Sequence, residues 1–171
     1  MRLCAPVPPW LWVTPVTSLF LHGGLLHLGG NMLYLWIFGN NVEEAMGHGR
    51  FLVFYLICGV LATAGHVLSN PGSDLPVIGA SGAISGVLAA YLLLYPHARV
   101  LTLIPLGFFT RLVYIPAVIL LGFWILLQVV SGLLTPREAA GVAWFAHIGG
   151  FVAGLALVAP FKRRGVRLLG R

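Results

Sequence analysis

Apolar residues run through most of this chain, and the few interruptions divide it into five segments. The first covers about Leu25 to Val42, the second about Phe51 to Leu68, and the third Ser81 to Tyr95. The fourth starts near Leu112 or Pro116 and ends at Leu134, and the fifth runs from about Ala143 to Phe161. A membrane-spanning helix needs about 20 apolar residues, somewhat fewer where neighbours shield it. Proline marks the boundaries: Pro116 suits an early helical position, Pro96 stops the third segment, and Pro160 lies near the end of the fifth. The pattern predicts an all-α polytopic membrane bundle of about five helices, with no internal repeat and no low-complexity segment.

The third segment is short. Its 15 residues span about 22 Å as a helix, against a hydrocarbon core of about 30 Å. With Tyr95 at one boundary, Ser81 lies below the opposite surface. Non-helical backbone at that depth has to be buried in protein or to face water. The run "GASGAISG", Gly79 to Gly86, is therefore expected to line a cavity.

Composition agrees with a membrane bundle. The 171 residues are 59% hydrophobic and 8% charged, where a soluble domain carries about 25% charged residues. One domain is enough for this length. Cys4 and Cys58 suggest neither a disulfide framework nor a metal site. Pro6, Pro8 and Pro9 interrupt the N-terminal stretch, so no cleavable signal peptide is expected.

Charge sets the orientation. Arg50, Arg99, Arg111 and the tail residues Lys162, Arg163, Arg164, Arg167 and Arg171 fall on one side; Arg137 falls on the other. Leaving out Arg2, the count of eight against one makes the tail side cytoplasmic. The tail, residues 162–171, thus reads as a membrane anchor and not as a nucleic-acid contact. Residues 1–20 read as an outer-side loop, and the setting expected is a bacterial plasma membrane.

Four polar residues stand out within spans, where polarity is expensive and usually functional: His27, Asn31, Ser81 and His147. All four fall near the outer ends of their helices. Ser81 opens its helix, where free N–H groups and the positive end of the dipole favour negative charge; the competing reading is a helix cap. His147 can supply the base that a serine hydroxyl needs, or can simply join two helices. Gly82 and Gly86 share a small-xxx-small spacing with Gly150 and Gly154, which lets two helices approach closely and brings Ser81 and His147 together. His27 and Asn31 lie four apart on one helical face, with His22 upstream. They suit an oxyanion hole, although interhelical hydrogen bonding accounts for either residue alone. No carboxylate or thiolate stands near them to complete a metal site.

The carboxylates are Glu43, Glu44, Asp74 and Glu138. None is placed by its spacing to orient His147, so a Ser-His dyad is the economical reading and a Ser-His-Asp triad is not expected. A paired-carboxylate mechanism lacks its parts. "GASGA" also departs from the G-x-S-x-G nucleophile elbow, and no strand precedes it.

"HGGLLHLGGNMLYLWIFGNNVEEAMG", "GASGAISG" and "AHIGGFVAG", in that order, resemble the motifs of the rhomboid intramembrane serine proteases, and the resemblance covers about Trp12 to Pro160. It implies Ser81 as nucleophile, His147 as general base, and His27, Asn31 and the Ser81 N–H as oxyanion-hole donors. It further implies His22 as a histidine near the site and Glu43 as a structural glutamate at the cytoplasmic helix end. Gly79 and Gly82 would let backbone close around the reacting carbonyl. The implied activity is cleavage of transmembrane segments of membrane proteins within the lipid bilayer, without a cofactor; the fourth span, with Phe123 and Trp124, is a candidate lateral gate, and the competing reading of these aromatics is lipid-facing or packed residues. Two features depart from the family: a sixth, N-terminal span is not seen, and Trp12 is followed by Val13 where a Trp-Arg pair is often found. The rival readings are a catalytically silent rhomboid-like protein that binds transmembrane clients, and a transporter or channel fragment. The sequence does not indicate an oligomeric state.

Overall fold

The computed structural model describes residues 13–71, 76–107, 109–135 and 142–169. The helices are α1 (Thr14–Thr17), α2 (Leu25–Tyr34), α3 (Asn40–Met46), α4 (His48–Ser69), α5 (Ser81–Leu94), α6 (Ala117–Leu134) and α7 (Trp144–Phe161). A 3-10 turn covers Ser18–Phe20, and a π turn, Leu35–Gly39, joins α2 to α3. Two antiparallel strands, β1 (Arg99–Leu106) and β2 (Phe109–Pro116), lie between α5 and α6. The protein is a mostly helical membrane bundle, as its hydropathy requires.

Of the five expected spans, α4, α6 and α7 are long and apolar enough to cross a membrane. Helix α5 is shorter, with 14 residues. The first span is segmented by its π turn and ends at Gly47, whose φ of +90° is a backbone conformation that glycine adopts without strain.

The centre consists of α4, α5 and α7, held together by small residues. A Cβ on Gly150 would strike the Gly82 carbonyl oxygen, and one on Gly154 would strike the Gly86 backbone. On the other side of α5, a Cβ on Gly82 would fall 2.6 Å from the Ala62 Cβ, and one on Gly86 would fall 2.6 Å from the Cys58 Cβ and Sγ. The spacing expected to bring α5 against α7 does so, and α4 closes the third side.

Of the two starts expected for the fourth helix, Pro116 holds to within one residue, with Pro116 at the N-cap of α6, and Leu112 does not, because Leu112–Ile115 belong to β2. A short apolar run rich in branched and aromatic residues fits a strand as well as a helix. Here the pairing from Arg99↔Pro116 to Leu106↔Phe109 takes it. The first α6 amides are also fixed by the segment after α5: Ala117 N–H donates to Ala98 O (2.8 Å) and Val118 N–H to Pro96 O (3.0 Å).

The segment before the first span is partly helical. Its described part, residues 13–20, forms α1 and the 3-10 turn, with Leu19 buried against Gly59. Burying Leu19 supplies the packing that a free loop would lack. Residues 1–12, with Cys4 and Trp12, lie outside the described residues, as do Asp74, Arg137, Glu138 and Arg171.

The basic tail folds back under the bundle. Arg163 N–H donates to Ala45 O (2.9 Å) and Leu169 N–H to Leu93 O (2.6 Å). The C-terminal ends of α3, α5 and α7 thus share one end of the molecule. The N-terminal end of α5, with Ser81, lies at the other.

Candidate active site

Ser81 is the first residue of α5. Ala80 takes the N-cap position, and no side chain caps the helix. The Ser81 hydroxyl is instead 2.8 Å from His147 Nε2. Gly79 prepares this geometry. Its φ of +108° is closed to most side chains, and its N–H donates to Ser18 O (2.9 Å), which pins the strand of chain entering α5. Behind this hydroxyl, Ser85 Oγ donates to Ser81 O (2.7 Å).

His147 lies in the first turn of α7 and is buried. The contact of Gly150 with Gly82 fixes how closely α7 approaches α5, and hence the separation of His147 from Ser81. The Trp124 and Trp144 rings flank the imidazole at centroid distances of 5.9 and 6.5 Å. Its second nitrogen, Nδ1, is 2.7 Å from Gln128 Oε1 on α6. The sequence reading did not single out Gln128. The available signal was a carboxamide in the middle of an apolar span, where a polar side chain calls for a partner.

His27 and Asn31 converge on Gly79 from α2. A Cβ on Gly79 would lie 2.7 Å from His27 Nε2, a collision, and 3.7 Å from Asn31 Nδ2, an ordinary contact, so glycine is what leaves room for the His27 ring. Gly23 N–H donates to His27 Nδ1 (3.3 Å), which makes Nδ1 the acceptor and leaves the hydrogen of a neutral ring on Nε2. Asn31 Nδ2 is a buried donor without a partner. Such an orphan is unusual in a native fold and points to a group that arrives later. Two donors, His27 Nε2 and Asn31 Nδ2, therefore lie on the same side of Gly79, two residues before Ser81. Together with Gly79 and His147, Ser81 lines a cavity of about 410 Å³.

The His22 ring meets the edge of His27 at 5.2 Å, and its Nε2 also lacks a partner. Glu43 is not in this cluster. It sits near the tail end, where its Oε1 is 2.6 Å from His48 Nδ1. Among the described residues no group of three or more His, Cys, Asp or Glu is arranged to hold a metal ion.

A family model described as "Rhomboid domain" matches residues 9–164. The chain belongs to the rhomboid family. It is 38% identical over 149 residues to rhomboid protease GluP of Bacillus subtilis (strain 168), covering 87% of this chain and 27% of that protein. Rhomboid protein 1, mitochondrial, of Saccharomyces cerevisiae is 37% identical over 93 residues, with 52% of this chain and 27% of the relative covered. The presenilin-associated rhomboid-like protein, mitochondrial, of Bos taurus is 36% identical over 110 residues, 63% of this chain and 27% of the relative. The matched region thus spans about a quarter of each of these relatives.

Proposed function

We propose that this chain is an intramembrane serine endopeptidase that cleaves transmembrane segments of membrane proteins. Its basic tail lies on the cytoplasmic side of a bacterial plasma membrane. The observation that carries the reading is the 2.8 Å contact between Ser81 Oγ and His147 Nε2 at the wall of a cavity inside an apolar bundle.

His147 Nε2 takes the hydroxyl proton as Ser81 Oγ attacks the scissile carbonyl carbon. The carbonyl oxygen becomes an oxyanion, held by His27 Nε2–H, Asn31 Nδ2–H and the free N–H at the start of α5, with the helix dipole adding to the field. The imidazolium then protonates the leaving amine, the peptide C–N bond breaks, and an acyl-enzyme remains. Water, deprotonated by His147, attacks the acyl carbon and releases the new carboxylate and the Ser81 hydroxyl. Substrate segments with Gly or helix-breaking residues are favoured, because the bond has to leave its helix before Ser81 can reach it. His22 supports this site from outside the reacting atoms, against the His27 ring, whereas Glu43 is a structural residue at the tail end, paired with His48.

The test is cleavage of a transmembrane reporter in proteoliposomes. The parent should cleave it and Ser81→Ala should not, at equal membrane levels. A folded parent that binds the reporter and never cleaves it would favour the silent client-binding reading.

A further inference from the structure

We infer that Gln128 is a positioning residue that holds His147 in the one neutral tautomer able to accept the Ser81 proton; this rests on the protease reading above. The carboxamide of Gln128 is buried, on a helix that otherwise presents mostly apolar residues. Its two ends are chemically distinct. Nε2 donates to Trp124 O at 3.4 Å, one helical turn back, and a carbonyl oxygen can only accept. With Nε2 engaged there, Oε1 is the end that faces His147 Nδ1, at 2.7 Å. Oε1 is also only an acceptor, so Nδ1 has to carry the hydrogen. In a neutral imidazole the other nitrogen, Nε2, is then a free lone pair, and it is this nitrogen that lies 2.8 Å from Ser81 Oγ.

The reversed amide fails on both sides. It would set Oε1 against the Trp124 carbonyl, two acceptors facing each other, and would present N–H to Nδ1. His147 would then keep its hydrogen on Nε2 and donate to Ser81, leaving the serine with no base. Helix position, amide orientation and tautomer therefore form one chain of constraints. A neutral amide on α6 here does what a carboxylate does in a serine protease triad: it sets the tautomer and holds the ring, without adding a charge inside the membrane. When the base becomes an imidazolium, Nδ1–H keeps its acceptor throughout the step.

The experiment compares the parent protein with Gln128→Met and Gln128→Glu in the same lipid. Met matches the length of Gln but is too weak an acceptor to fix Nδ1–H; Glu keeps an acceptor oxygen. Two readouts are taken: the ¹⁵N spectrum of His147, assigned with His147→Ala, and the split of reporter cleavage into kcat and KM. The parent should show hydrogen on Nδ1. Gln128→Met should show a mixture of tautomers, with kcat reduced about 10- to 100-fold and KM unchanged. That loss is smaller than the roughly 10⁴ that an enforced wrong tautomer causes in a triad, because part of the population stays competent. Gln128→Glu should restore the Nδ1–H signature. An unchanged His147 spectrum in folded Gln128→Met overturns the inference, even if the parent cleaves. The tautomer change supports it even if no cleavage is ever detected, a result that would count against the protease reading alone.

Discussion

Helices α5 and α6 are both apolar, but the molecule uses them differently. Eleven of the 14 residues of α5 are buried, against four of the 18 in α6. The buried part of α5 is largely small residues meeting backbone or small side chains of α4 and α7. By contrast, α6 exposes Val118, Ile119, Phe123, Leu126, Leu127, Val130, Leu133 and Leu134. In water such a face is untenable; in a bilayer it is the surface that meets lipid. The difference teaches where precision resides. The separation of Ser81 from His147 is built into glycine-to-backbone contacts that cannot relax without moving whole helices. Helix α6 reaches the same histidine with two side chains, the Gln128 amide and the Trp124 ring.

Five substitutions test this contrast. The largest effect is expected at the proposed nucleophile and base. Ser81→Ala and His147→Ala should each lower cleavage by roughly 10⁴-fold or more, and the double variant should be no worse than either, because the two act as a unit. Rates from parallel proteoliposome assays check this.

Next comes the seam itself. Gly154→Val places a branched side chain against the Gly86 backbone and has to force α5 from α7. Thermal unfolding in detergent should show destabilisation of about 1–3 kcal/mol or more. Activity should fall with it, because Ser81 and His147 would separate. An unaltered melting temperature would mean that the helices are less tightly held than the glycine contacts require.

Asn31→Ala should be milder. It removes one of the two side-chain donors that lie against Gly79, so kcat should drop about 10²-fold or less with KM nearly constant. A change confined to KM would make Asn31 a binding or structural residue.

The smallest effect is expected on the lipid-facing helix. Phe123 is 59% exposed. Phe123→Ala should leave stability within about 0.5 kcal/mol of the parent, as is usual for substitutions away from packed groups. Comparable losses for Phe123→Ala and Gly154→Val would erase the distinction between the two helices.

The same contrast explains what was legible in the sequence. Motif spacing on α5 and α7 was enough to place Ser81 and His147 together, because small residues at i and i+4 constrain helix approach whatever surrounds them. Gly79 was recognisable as a close backbone approach, and His27 with Asn31 as one face. Gln128 was not legible. Its partner lies 19 residues away on another helix, and no local period links the two. The β1–β2 hairpin was hidden for a related reason: hydropathy reports that "TRLVYIP" is mostly apolar, but only its cross-strand partner decides that it is extended. Likewise, the segmentation of the first span by a π turn depends on backbone detail that apolar periodicity does not encode.

Covalent labelling tests whether Ser81 is a nucleophile activated by His147. A fluorophosphonate probe should be incubated with the membrane-embedded protein and the modified residue mapped by mass spectrometry. The account predicts a single adduct on Ser81, absent in Ser81→Ala and reduced to background in His147→Ala. An adduct on another residue, or labelling of Ser81 at the same rate without His147, would contradict it.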